Sequence, residues 1–129
     1  MTDNQIKVLV TDDEKDFRDL LAFWLKSKGY DVITASNGIE AVEKIKQESP
    51  DVVFLDLNMP DKYGTDTLKE IKSFNKDLPV IIISAHVDDR RAKEAMDLGV
   101  AGVFYKGSDF QQGLTLLEAA LHTHKKLKK

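Results

Sequence analysis

The sequence predicts an α/β fold: a doubly wound sheet of five parallel strands, with five helices packed on its two faces. Five short runs rich in β-branched and aromatic residues are predicted strands, and each is followed by a segment with apolar residues at helical spacing. The third and fourth runs, Val52–Leu55 and Val80–Ile83, are apolar throughout, which is typical of strands buried on both faces. Strands and helices that alternate in this way predict a parallel sheet.

The predicted elements follow one another with short connections. The strands are expected at residues 6–11, 30–35, 52–56, 80–84 and 102–106. The helices are expected at residues 14–28, from 39 to before Pro50, after the loop of residues 60–64 as far as Phe74, at 88–98 and at 108–127. Gly29 is predicted to end the first helix in a left-handed conformation, and Ser108 to cap the last one.

The predicted helices each have one apolar face. These faces comprise Phe17, Leu20, Leu21, Trp24 and Leu25; Ile39, Val42 and Ile45; Leu68, Ile71 and Phe74; Ala92, Ala95 and Met96; and Phe110, Leu114, Leu117 and Leu121. The second strand is half polar and is expected at an edge of the sheet, whereas the third and fourth are expected inside. With right-handed crossovers, the strand order is then 2-1-3-4-5, the flavodoxin-like order.

Length and composition indicate a soluble globular chain. The 129 residues predict one domain, residues 1–129, with a core from about residue 5 to residue 125. There is no cysteine, so disulfides and thiol chemistry are excluded. The N-terminus has no signal pattern and no apolar run could span a bilayer, so a cytoplasmic location without membrane contact is expected. A net charge of −3 gives no reason to expect direct nucleic-acid binding.

Charged and hydroxyl side chains follow four of the predicted strands. Asp12 and Asp13 follow the first strand, Asp56 ends the third, Ser84 the fourth and Lys106 the fifth. The carboxyl ends of parallel strands meet at one edge of the sheet, so these side chains are expected to converge. Two unit charges ~4 Å apart repel by about 4 kcal/mol at an effective dielectric constant near 20.

Three carboxylates can share that edge only if one is protonated, if Lys106 bridges them, or if a cation binds among them. An all-oxygen acidic cluster suits Mg²⁺, with Mn²⁺ as an alternative. A carboxylate beside Mg²⁺ can attack phosphorus and form an acyl phosphate, while Lys106 and the Ser84 hydroxyl neutralise the phosphoryl oxygens. The added negative charge would draw nearby donors inward, which is the chemistry of a switch.

These residues resemble those of the response regulator receiver family of two-component signalling. The family motifs that the chain matches are Asp12-Asp13, Asp56 within Phe54-Leu55-Asp56-Leu57-Asn58-Met59-Pro60, Gly64, Ser84-Ala85 and Lys106. The resemblance implies that Asp56 is phosphorylated and that Asp12, Asp13, Asp56 and the Asn58 backbone carbonyl bind the metal. It also implies that Ser84, Ala85 and Lys106 contact the phosphoryl group, and that the Asn58 side chain tunes its lifetime.

The chain departs from the family pattern at two positions. Gly107 replaces the proline that usually follows the lysine, so the peptide bond there is expected to be trans. Val103 occupies the position of the switch aromatic, and Tyr105 is the nearest tyrosine, on the same face of the strand. Together with His86, near the site entrance, these residues are candidate modulators of switching.

The resemblance also implies partners and excludes turnover. A sensor histidine kinase or a phosphotransfer protein would supply the phosphoryl group, and a downstream protein or output domain would read the face of the fourth helix, fifth strand and fifth helix. The chain would be a regulated switch and not an enzyme.

The histidines of the lysine-rich end, His122 and His124, are interpreted as part of a cationic helix end.

Two other classes share parts of this pattern. A phosphohydrolase of the haloacid-dehalogenase type also has a nucleophilic Asp at a strand end, but it needs an acid two positions on, where this chain has Asn58. A flavodoxin-like FMN-binding module needs a phosphate loop after the first strand, where Asp12, Asp13 and Glu14 would repel phosphate. Turnover of a phosphomonoester would indicate the first class, and a coloured purified protein the second.

Overall fold

The computed structural model describes residues 5–59, 64–86 and 89–123. The strands are β1 (Lys7–Thr11), β2 (Asp31–Ala35), β3 (Val52–Asp56), β4 (Val80–Ser84) and β5 (Gly102–Tyr105). The helices are α1 (Lys15–Ser27), α2 (Gly38–Glu48), α3 (Gly64–Phe74), α4 (Arg90–Asp97) and α5 (Phe110–Thr123). All ten elements were predicted in this order.

The five strands form one parallel sheet in the order β2-β1-β3-β4-β5, which confirms the predicted topology. β3 and β4 are buried at every residue, as strands covered by helices on both faces must be. In the sheet register Asp56 lies beside Ile83, and Ser84 beside Tyr105. The carboxyl ends of the strands are therefore level with one another at one edge.

The sheet separates two apolar clusters. α1 and α5 cover one face, where Leu21 and Leu117 pack with Phe54 of β3. α2, α3 and α4 cover the other face, where Ile71 packs with Ile82 of β4. Each such side chain contributes about 1.5–3 kcal/mol when fully buried, so the two clusters hold the helices, and with them the loops above the strands, in place.

Most helix ends follow the predicted chemistry, with one correction. Gly29 follows α1 with φ 99°, the left-handed conformation predicted for it. The predicted cap of the last helix, Ser108, is wrong: the Asp109 carboxylate accepts the hydrogen bond from the Gln112 N–H, and α5 begins at Phe110. The Ser108 N–H instead donates to the Tyr105 carbonyl in the turn that follows β5. Asp109 directly precedes the helix, and its Oδ1 lies within reach of the Gln112 N–H, as a residue at the N-cap position requires.

Three residues assigned to inner faces point to solvent instead. Leu20, Ile39 and Met96 are 58%, 57% and 62% exposed. Each directly precedes or follows a small or apolar residue that takes the inward position, and neighbours on a helix are about 100° apart. Phe74 is also partly exposed, and the Lys46 ammonium covers its ring, 4.9 Å from the centroid.

Some predictions fall outside the described residues. These are Pro60 in the loop before α3, Asp88 at the predicted start of the fourth helix, His124, and residues 124–127 at the predicted end of the last helix. Within the part of the chain that the structure describes, α4 begins at Arg90, capped by Asp89. No helix in that part has the length and apolar character needed to cross a membrane.

Candidate functional site

Asp56 ends β3 and is nearly inaccessible to solvent, at 2% exposure. Its Oδ1 accepts a hydrogen bond of 3.0 Å from the Asn58 N–H. Burial is the main cause that raises the pKa of Asp56, and the nearby Asp12 charge adds to it. The Asn58 N–H and Lys106 counteract only part of this, so the pKa is raised to about 8. The raised pKa means that the ionised form of this buried carboxyl is disfavoured, and a bound cation would stabilise it.

Asp12 and Asp13 follow β1 at the same edge. Asp12 is fully buried and its Oδ1 accepts a hydrogen bond of 2.8 Å from the Glu14 N–H, whereas Asp13 is exposed. Carboxylate oxygens of Asp12, Asp13 and Asp56 lie within 4.8 Å of one another. The predicted convergence of the three acids is therefore present in the structure.

This cluster fits a hard divalent cation. The donors are all carboxylate oxygens, the ligands that Mg²⁺ prefers. The Oδ2 atoms of Asp12 and Asp56 are buried, and neither accepts a hydrogen bond from any residue in the described ranges. Buried carboxylate oxygens that accept no hydrogen bond are costly, and the Lys106 ammonium is the only charge of opposite sign that the described residues bring to them, so a divalent cation between the two oxygens would lower the cost.

Lys106 follows β5 and brings its ammonium to the acids. Its Nζ lies 3.1 Å from Asp12 Oδ2, donates to Asp12 Oδ1 at 3.3 Å, and lies 3.7 Å from Asp56 Oδ2. A further ion pair joins Lys106 to Glu14. Burial lowers the pKa of Lys106, but the Glu14 hydrogen bond and the charges of Asp56 and Asp12 outweigh it, so the pKa is raised and the ammonium stays charged.

Ser84 ends β4 and is completely buried. Its hydroxyl donates a hydrogen bond of 2.9 Å to the His86 carbonyl, and the His86 N–H donates back to Ser84 Oγ at 3.3 Å. The hydroxyl is thus engaged by its own loop, and any role toward Asp56 requires it to exchange that partner. Ala85 and His86 are both exposed beside it.

The positions that depart from the family pattern lie along β5 and the turn after it. Val103 pairs with Ile82 and is half-buried against the cluster formed with α2, α3 and α4. Tyr105 pairs with Ser84 and is also half-buried. Gly107 is exposed and a Cβ there would meet no atom within 4 Å. No cis peptide bond occurs in the described residues, as predicted for the Lys106–Gly107 bond.

Gly64 fixes the backbone that carries Asp56. Its N–H donates to the Leu57 carbonyl at 2.9 Å, so the start of α3 lies directly against the end of β3. A Cβ at residue 64 would lie 2.5 Å from the Asp56 carbonyl oxygen and 2.6 Å from Leu57 Cα. Only glycine permits this approach, which explains why the loop motif includes one at this position.

Two contacts of Lys106 were not predicted from the sequence. From the sequence, Glu14 was interpreted as the start of a helix and as an acid that would repel an FMN phosphate, and Phe17 as a core residue. The Phe17 ring lies under the ammonium, with its centroid 5.1 Å from Nζ. Their position three residues apart at the start of the helix after Asp12-Asp13 was the available signal, because residues so spaced share a helix face.

Fold and site together define a class: a doubly wound α/β domain with an acidic cluster and a lysine at the carboxyl edge of its sheet. The family model of the response regulator receiver domain matches residues 8–118. The chain belongs to the response regulator receiver family, as its sequence motifs indicated.

Individual proteins agree with this assignment. The transcriptional regulatory protein ZraR of Klebsiella oxytoca is 39% identical over 124 residues, covering 95% of this chain and 28% of that protein. The crystal structure of the receiver domain of NtrX from Brucella abortus has a TM-score of 0.86 and 34% identity, covering 90% of this chain and 98% of that chain. A receiver domain protein from Clostridium thermocellum has a TM-score of 0.88 and 33% identity, covering 95% and 99%. The chain thus spans little more than a quarter of the length of the curated relatives it matches.

Proposed function

We propose that this chain is a phospho-acceptor switch in which Asp56 receives the phosphoryl group. The observation that carries the proposal is the buried Asp56 Oδ2, which accepts no hydrogen bond from the described residues and lies 3.7 Å from Lys106 Nζ. This oxygen would form the new bond to phosphorus as the donor's bond to phosphorus breaks and its leaving group takes the electron pair. The product is an aspartyl phosphate.

The surrounding residues would bind the metal and balance the charge. Asp12, Asp13, Asp56 and the Asn58 backbone carbonyl are the proposed ligands of Mg²⁺, or of Mn²⁺ in its place. When bound, the ion supplies neutralisation of carboxylate and phosphoryl oxygens. Lys106 would pair with one phosphoryl oxygen. The Ser84 hydroxyl would turn away from the His86 carbonyl and donate to a second phosphoryl oxygen, next to the small Ala85.

The proposed partners follow from the family. A sensor histidine kinase or a phosphotransfer protein would donate the phosphoryl group in the cytoplasm. A downstream protein or output domain would read the face formed by α4, β5 and α5. The chain would act as a single receiver domain, with self-phosphorylation and slow loss of the phosphoryl group as its only chemistry. Asn58, His86, Val103, Tyr105 and Gly107 are the residues proposed to modulate the switch.

The experiment is phosphorylation by a small acyl phosphate with and without Mg²⁺, followed by intact-mass measurement. The wild type is expected to gain one phosphoryl group only with the metal, and Asp56→Asn none. Asp16→Asn, which removes an exposed carboxylate on α1, is the matched control and should be labelled like the wild type. Equal labelling of Asp56→Asn and the wild type would disprove the assignment. Multiple turnover of a phosphomonoester would point instead to a phosphohydrolase.

A further inference from the structure

The Lys106 ammonium lies between two groups of partners. On one side are the buried carboxylates of Asp12 and Asp56, which belong to the site already described. On the other side, at the start of α1, are the Glu14 carboxylate and the Phe17 ring. Glu14 and Phe17 are here named the α1 seat. Neither side chain is among the proposed metal ligands or phosphoryl contacts, so their contact with Lys106 needs its own explanation.

We propose that the α1 seat positions Lys106 in the unphosphorylated state and competes with the phosphoryl group for its ammonium. Phosphorylation transfers Lys106 from the seat to the phosphoryl oxygens, and the vacated Phe17 ring then adjusts against its aromatic neighbours. Glu14 and Phe17 are positioning residues in this scheme, and they set the free-energy difference between the two states. The inference rests on Asp56 being the phosphorylated residue.

Glu14 is the partner that Lys106 can leave at the lowest cost. An ammonium has three N–H donors, and four carboxylate oxygens of Asp12, Glu14 and Asp56 lie around that of Lys106 and compete for them. The Asp12 and Asp56 side chains are 0% and 3% exposed, whereas Glu14 is 62% exposed, so water can replace Lys106 only at Glu14. Glu14 is the N-cap residue of α1 but its side chain makes no capping hydrogen bond, so the helix does not depend on it.

Phe17 connects the seat to the beginning of α5. Its ring centroid lies 6.0 Å from that of Phe110, the first residue of α5, and 6.4 Å from that of Phe104 in β5. Phe110 in turn lies 5.8 Å from Trp24. Rings at these distances are in contact, so a shift of Phe17 is felt at the α5 start and at the single tryptophan of the chain. Val103 stands where the family has its switch aromatic and has no ring, so the contacts of Phe17 with Phe104 and Phe110 could transmit the change in its place.

The first experiment is a double-mutant cycle on the affinity for beryllofluoride, a non-covalent phosphoryl analogue, at saturating Mg²⁺. The four proteins are the wild type, Glu14→Gln, Lys106→Met and the double variant, with binding followed by fluorine NMR. Glu14→Gln should bind the analogue about fivefold more tightly, the size of one ion pair. In the Lys106→Met background the same substitution should have little effect. Asp16→Asn, an exposed acid in the same helical turn, controls for the loss of one negative charge.

The outcomes separate the possible explanations. Tighter binding that depends on Lys106 supports the seat. An equal gain with and without Lys106, or an equal gain in Asp16→Asn, reduces Glu14 to a general electrostatic effect and overturns the proposal. No gain in Glu14→Gln overturns it as well.

The second measurement uses Trp24 emission and does not depend on the affinity of the Lys106 variants. The analogue should change the emission of the wild type, and Phe17→Leu, which keeps an apolar side chain, should lose most of that change. An unchanged Trp24 signal in the wild type, or a full signal in Phe17→Leu, contradicts the relay. Phosphorylation measured by intact mass on the same proteins and on Asp56→Asn distinguishes the two proposals. If Asp56 is labelled but the expected changes in analogue affinity and Trp24 emission are absent, only the proposal for the α1 seat is contradicted. If another residue is labelled, the proposed function itself is contradicted.

Discussion

Asp56 combines full burial with a pKa raised to about 8, and this makes the stability of the fold depend on pH. Its ordinary value is 3.8, so as the pH rises from about 4 the unfolded chain releases the proton before the folded chain does. Stability from this group is complete below the unfolded pKa and is lost as the pH rises through the folded pKa. At higher pH the folded state contains a buried carboxylate that the unfolded state exposes to water.

We therefore predict that Asp56→Asn stabilises the protein, and increasingly so toward high pH. Without divalent cations the gain should be small at about pH 4 and on the order of 5 kcal/mol above pH 8. Urea unfolding of both proteins across this range measures it. Mg²⁺ should reduce the difference, because the cation stabilises only the chain that retains the carboxylate. Curves for variant and wild type that stay parallel at every pH would contradict the prediction.

Lys106 is predicted to be separable from metal binding and phosphoryl acceptance. Its ammonium is itself a cation among Asp12, Asp13 and Asp56. The Mg²⁺ affinity of Lys106→Ala should therefore equal that of the wild type or exceed it by up to about tenfold. Isothermal titration calorimetry measures this, and intact mass shows whether phosphorylation persists. Lys15→Ala, which removes an exposed lysine paired with Asp19, is the control. A sharp fall in Mg²⁺ affinity in Lys106→Ala alone would refute the competition.

At the scale of elements, the junction between β3 and α3 depends on Gly64. Gly64→Ala should destabilise the fold by about 1–3 kcal/mol, because its Cβ would meet the backbone of Asp56 and Leu57 rather than a side chain that can move. Gly107→Ala is the matched control, since its Cβ meets no atom and its φ is not left-handed. The control should change stability by less than about 1 kcal/mol. The midpoints of urea unfolding measure the stability of both variants. Equal losses of stability would show that the close approach at Gly64 does not cause the destabilisation.

The elements also show how far the sequence could be interpreted. Apolar runs and helical spacing predict all five strands and five helices, because burial on one or both faces dictates these patterns. Level strand ends in a parallel sheet predict the meeting of Asp12, Asp56 and Lys106. Helix rotation is finer than the pattern resolves, so Leu20 and Met96 were assigned inward although their neighbours take those places.

Side-chain partners across the site could not be predicted. The contact of Lys106 with Glu14 and Phe17 depends on where the first turn of α1 lies relative to the end of β5, which spacing alone does not determine. The capping of α5 by Asp109 in place of Ser108 depends likewise on one residue of backbone geometry. Topology brings elements together, but local geometry decides which of two adjacent side chains makes the bond.

At the scale of the whole molecule, activation is predicted to be localised. Val103 has no ring to rotate and, being β-branched, few rotamers. The conformational response to phosphorylation should therefore be small on α4 and larger in residues 104–110, the turn that contains Lys106 and the start of α5. Amide exchange with and without Mg²⁺ and beryllofluoride measures both regions. Changes in protection centred on residues 86–98, with residues 104–110 unaltered, would show that the usual mechanism operates without its aromatic.

The sequence separation within the site has a consequence for biosynthesis. Lys106 follows Asp12 by 94 residues, so a nascent chain that already pairs β1 with β3 brings acids together before the ammonium has been translated. Their repulsion opposes closure of that edge until β5 is added. Folding of this domain on the ribosome is therefore expected to require the arrival of the Lys106 charge as well as that of α5. The stability of a chain truncated before residue 102 is expected to depend more strongly on ionic strength than that of residues 1–129.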